Sequence, residues 1–63
     1  MSEYFLKKRA VEINTFIIEN GYSFKELSEK LKVSAHTVWR WANEPVKIKQ
    51  KNLQSLKDLG CKI

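Results

Sequence analysis

The chain has a single cysteine, Cys61, and a single histidine, His36, in 63 residues. One thiol excludes an internal disulfide and any site built from several thiolates. One imidazole with no second ligand spaced for it leaves no zinc-type motif, so neither metal nor cofactor is expected. Proline occurs once, at position 45, and glycine twice, at positions 21 and 60. Repeats, low-complexity tracts, linkers and phosphate-cradling glycine loops are all absent. No apolar run approaches the roughly 18 residues that a membrane span requires, and nothing has the pattern of a signal peptide. The expected setting is reducing and cytoplasmic. Acidic residues are the minority charge, seven against twelve basic. No nucleophile has a base spaced beside it and no carboxylates pair in an apolar setting, so enzymatic chemistry is not expected. No small-molecule ligand site is evident either.

What is present suits one small domain spanning residues 1–63. Hydrophobic residues make up 43% and seven are aromatic, which is enough for a core and argues against disorder. The net charge of +5 is unevenly placed. Lys7, Lys8 and Arg9 are balanced by Glu3, Glu12 and Glu19, so residues 1–22 sum to zero. Residues 23–43 carry +2 and residues 44–63 carry +3. The positive field belongs to the second two-thirds of the chain, which suits a polyanionic partner.

Four helices are predicted. Leu6, Ala10, Ile13, Phe16 and Ile17 recur at helical spacing over residues 4–19, and Gly21 follows where a helix should stop. Ser23 and Glu26 form an S-x-x-E capping box at the start of a second helix whose Leu27 and Leu31 point inward, with the small Ser28 between them. Lys32, Val33 and Ser34 make a turn. Ser34 can cap a third helix over residues 35–43, which Pro45 then closes off. The stretch "VKIKQK" reads as extended, and its alternation could suit a strand for which no partner exists. A last helix over residues 51–59 places Leu53, Leu56 and Leu59 on one side and ends at Gly60. Lys7, Lys8 and Arg9 are expected at the surface, Tyr4, Phe5 and Phe24 in the core or at its rim, and Cys61 as a spare thiol near a frayed end.

Two helices joined by so short a turn set one across the other, an arrangement that can push the second into a DNA major groove. That second helix has two faces. Val38, Trp41 and Ala42 form an apolar inner face, whereas Ala35, His36, Trp39, Arg40 and Asn43 share the outer one. Arg40 can bind guanine O6 and N7 bidentately, and Asn43 can reach adenine or a phosphate. Ser34, at the positive end of its helix, is placed for a phosphate oxygen. Lys25, Lys47, Lys49 and Lys51 would supply attraction to the backbone regardless of sequence. Trp39, a large aromatic on a polar face, contacts either DNA or a protein partner.

Residues 23–44, through Leu27, Ser28, Leu31, Val33, Ser34, Thr37, Val38, Arg40, Trp41 and Asn43, resemble the helix-turn-helix of the Cro/phage-repressor family, the XRE class. The helix before and "NLQSLKDLG" after extend the resemblance over nearly the whole chain. It implies an all-α, lambda-repressor-like domain and a bacterial, phage or mobile-element regulator, often a repressor, that binds double-stranded DNA in the nucleoid without a cofactor. It also implies that Ala35, His36, Trp39 and Arg40 read bases. The sequence departs from the pattern in having Lys32 and Glu44 where that family usually has glycine. Relatives often dimerise through a fifth helix or C-terminal strand; here a homodimer would use the last helix and residues 61–63, or form only on DNA. Excisionases carry a similar "VSxxTVxRW" pattern but usually continue into a hairpin wing. Three readings stay open: a Cro-like regulator, an excisionase-like architectural protein, and a protein-interaction module of antirepressor or antitoxin type.

Overall fold

The structure, a computed structural model, describes residues 3–63 and holds four helices: α1 (Glu3–Glu19), α2 (Phe24–Leu31), α3 (Ala35–Asn43) and α4 (Gln50–Asp58). The all-helical, four-helix architecture expected from the sequence is the one observed, with helix bounds moved by a residue at the start of α1 and at both ends of α4. Each helix sends one side chain entirely out of solvent: Ile13, Leu27, Val38 and Leu56. Around these four pack Phe16, Ile17, Leu31, Trp41 and Ala42. Burial of such side chains stabilises by about 1.5–3 kcal/mol each, so this shared cluster holds the four short helices together. α3 packs against both α1 and α2, and α4 closes on α2.

Three helix ends are built the same way. At the end of α1 the N–H of Tyr22 donates to the Ile17 carbonyl and that of Gly21 to Ile18. After α2, Val33 N–H donates to Ser28 and Lys32 N–H to Glu29; after α4, Cys61 N–H donates to Leu56 and Gly60 N–H to Lys57. These crossed bonds satisfy carbonyls that a helix end leaves open, and they require a left-handed residue between them. Gly21 (φ 67°), Lys32 (φ 57°) and Gly60 (φ 106°) are those residues. Each turn aims the next side chain back at the core: Tyr22 tilts against Phe16 with ring centroids 5.8 Å apart, and Val33 and Cys61 pack on the cluster.

That last turn corrects the expectation for Cys61, which is a buried core side chain rather than a loose thiol. Burial, helped by the negative charge of Glu12, pushes its thiol pKa up. Arg9 is likewise buried, not superficial. Its spacing of three from Leu6 and four from Ile13 puts it on the inner side of α1, and its guanidinium lies 5.7 Å from the centroid of the Phe5 ring. The long apolar stem makes this tolerable. Phe24 is half-buried against the core, but Tyr4 and Phe5 are exposed. Leu59 is exposed as well, because α4 stops before it and only Leu56 of its three leucines is fully enclosed. Among the described residues there is no strand: Val46 and Ile48 pack against the core while Lys47 and Lys49 point outward, an extended segment without a pairing edge.

Candidate nucleic-acid interface

The turn between α2 and α3 is closed by side chains on both sides. Ser23 Oγ accepts from Glu26 N–H at 3.0 Å while Glu26 Oε1 accepts from Ser23 N–H at 3.1 Å, so the capping box is complete. At the start of α3, Ser34 Oγ accepts from Thr37 N–H at 3.1 Å and lies 2.8 Å from Thr37 Oγ1. Such caps are worth about 1 kcal/mol each. They matter here because α3 has nine residues, too few to hold a helix without caps and packing. Ser34 is thereby committed to its own helix; an oxyanion arriving there would meet the backbone N–H groups of the first turn rather than a free hydroxyl.

The faces of α3 divide as its spacing predicts. Val38, Trp41 and Ala42 are buried, while Ala35, His36, Trp39, Arg40 and Asn43 are exposed. Two contacts order the exposed side. His36 and Trp39 stack one turn apart, centroids 5.8 Å apart and planes 11° from parallel, which makes a flat aromatic step on the surface. Arg40 Nε–H donates to Glu44 Oε1 at 3.0 Å. Both side chains are about half exposed, so the pair contributes only about 0.3–0.5 kcal/mol to stability. Its larger effect is orientation. With Nε occupied, the Nη groups are the remaining donors of the guanidinium, and their edge carries the parallel donors that suit paired acceptors. Glu44 itself is extended (φ −126°, ψ 149°), a conformation open to any residue, so the absence of glycine there costs nothing. Asn43 is less available than its position suggests: its Nδ2 donates to the Trp39 carbonyl at 2.9 Å, leaving one N–H and Oδ1.

The lysine-bearing segment meets α3 along a groove of about 380 Å³. Its floor is apolar, formed by Val33, Trp41, Val46 and Ile48, and its rim carries Arg40, Lys47, Lys49 and Lys51. The four residues were singled out in sequence for two separate roles; the fold brings them to one edge. Lys25 does not line this groove and lies apart on α2. Thr37 does line it and was not singled out as a site residue. The signal was available, since Thr37 sits three residues before Arg40 and four before Trp41, on the flank of α3 that turns toward the lysines. Among the described residues, no group of His, Cys, Asp and Glu side chains is arranged to hold a metal ion, and no helix is long and apolar enough to cross a membrane. Comparison with protein-family models, with curated proteins and with solved structures found no match.

Proposed function

We propose that this chain is a sequence-specific double-stranded-DNA-binding regulator in which α3 enters the major groove. The observation that carries the reading is the groove edge where Arg40, its Nε held by Glu44 and its Nη donors left over, meets Lys47, Lys49 and Lys51. A cationic rim of this kind suits phosphates, and a presented guanidinium beside it suits a guanine edge. Ala35 and the His36–Trp39 step sit on the same exposed side, where thymine methyls and sugar faces would be met. In this reading Lys25 and the first turn of α3 at Ser34 hold the opposite strand's phosphates. Asn43 acts on backbone, its second Nδ2 N–H donating to a phosphate oxygen, rather than reading adenine. The role is binding without catalysis, cofactor or small ligand. The absence of a strand among the described residues favours the Cro-like reading over an excisionase-like one with a hairpin wing.

One observation favours a second reading. Trp39 is 42% exposed and widened by the stacked His36, a patch that would also suit a protein interface. Salt separates the two. Binding of a random-sequence duplex, followed by fluorescence anisotropy between 50 and 200 mM salt, should weaken with a log–log slope of about −3 to −4 if four cations each neutralise a phosphate. A flat dependence, or no duplex binding at low salt, would move the function to a protein partner.

A further inference from the structure

The solvent side of α1 is unusual for a short, highly charged chain. Tyr4, Val11 and Ile18 stand 78%, 63% and 69% exposed, seven residues apart, and so align as one straight stripe with an apolar side chain on every second turn. The ends of the stripe are fourteen residues apart, about 21 Å along the helix, against a longest molecular dimension of 29 Å. A single exposed apolar residue needs no explanation, but three aligned on one helix face, with Lys7, Lys8, Asn14 and Thr15 on the turns between, can serve as a packing seam for a partner. The row is opposite the side of α1 that carries Leu6, Ile13 and Ile17 into the core.

We infer that this stripe is a self-association surface on which two copies pack α1 against α1, antiparallel, across a two-fold axis at Val11. The charges choose the occupant and the direction. Lys7 and Lys8 flank the stripe on its two sides. A parallel pairing brings opposite flanks together and sets Lys7 of one copy against the partner's Lys8 at the same level, which is repulsive. An antiparallel pairing centred on Val11 brings like flanks together and places residue n near the partner's residue 22 − n. Tyr4 then meets the partner's Ile18, Lys8 lies beside the partner's Glu12 and Thr15, and Lys7 lies beside the partner's Asn14. The two Glu12 side chains share the outer flank across the axis, each beside a partner's Lys8 that offsets the repulsion, and each Lys8–Glu12 contact occurs twice because the interface is isologous. Neither Lys8 nor Glu12 has an ion pair within the chain among the described residues, so both are available for one between copies. This inference needs no DNA and stands apart from the function proposed above.

Sedimentation equilibrium of the full chain without DNA, up to about 1 mM, tests it. The expected result is a reversible monomer–dimer equilibrium that Val11→Glu weakens at least tenfold while helical circular dichroism and Tm stay unchanged. Lys8→Glu should weaken it, and Lys8→Glu combined with Glu12→Lys should restore it. Mild oxidation of a mixture of Tyr4→Cys and Ile18→Cys chains should yield the mixed disulfide in preference to either self-linked one. A chain that stays monomeric throughout, or a dimer indifferent to Val11→Glu, overturns the interface. Preferential self-linking of Tyr4→Cys overturns the antiparallel register.

Discussion

At the scale of single residues, Lys32 shows two effects in competition. Its φ of 57° lies in the left-handed region, where a side chain costs about 1–2 kcal/mol. As a cation at the C-terminal end of α2 it recovers about 0.3–1 kcal/mol from the helix dipole. Glycine would remove the first and forfeit the second, and would also add freedom to the unfolded chain at about 0.4–1 kcal/mol. The balance favours glycine slightly. Lys32→Gly should therefore raise stability by up to about 1 kcal/mol, an increase in Tm of a few degrees for a domain this small; thermal denaturation checks it, and a lower Tm would show that the lysine charge outweighs the backbone strain. The departure from the glycine pattern was visible in the sequence, and so was its meaning, because a three-residue turn between two helices needs a left-handed residue. Arg40 and Glu44 are the contrary case. Their spacing of four permits an ion pair, but only the observed Nε contact tells which guanidinium donors are left over.

At the scale of elements, caps and periodicity made the helices legible. Ser23–Glu26 and Ser34 mark starts that the structure reproduces bond for bond. α4 has no such mark: Lys49 stands at its N-cap with no side-chain hydrogen bond, which is why the sequence placed its start late. Lys49→Ser should act in two directions. A cap hydroxyl should stabilise the chain by about 0.5–1 kcal/mol, read as a higher urea midpoint, while the loss of a rim cation should lower duplex affinity and flatten the salt slope by about one unit. A gain in stability with unchanged DNA binding would remove Lys49 from the interface. The misplaced residues of α1 have a different cause. Arg9 and Tyr4 were judged by chemical type, charged outside and aromatic inside, whereas on a helix already defined by Leu6, Ile13 and Ile17 position decides. Spacing alone would have put Arg9 on the inner face and Tyr4 on the outer.

At the scale of the whole molecule, the core and the charge distribution separate two surfaces. α3 packs on α1, so the exposed face of α3 and the stripe on α1 point away from each other, and a dimer formed through α1 would leave both copies' proposed reading faces open. Cys61 ties the C-terminal segment to the same core and gives stability a pH dependence. Its folded pKa is raised, so the folded chain holds the thiol proton more tightly than the unfolded one. That contribution is complete below the unfolded thiol pKa of about 8.5 and is lost as pH rises through the folded value. Stability measured by urea denaturation should fall over this alkaline range more steeply for the wild type than for Cys61→Ala, and parallel curves would mean that the thiol is not enclosed in solution. The grouping of Arg40 with Lys47, Lys49 and Lys51 belongs to this scale too. It depends on how the segment after Pro45 folds back beside Trp41; the sequence shows that these lysines follow the end of α3, but not the turn that brings them to one groove with Arg40. We propose that α3 reads base edges through Arg40. Selection of bound duplexes from a random pool at moderate salt, run in parallel on the wild type and Arg40→Ala, tests it most directly. The wild type should enrich a short guanine-containing motif, and Arg40→Ala should lose the preference at that guanine with a cost of about 1–3 kcal/mol on the selected site. The same motif recovered with both proteins, or none with either, would contradict it.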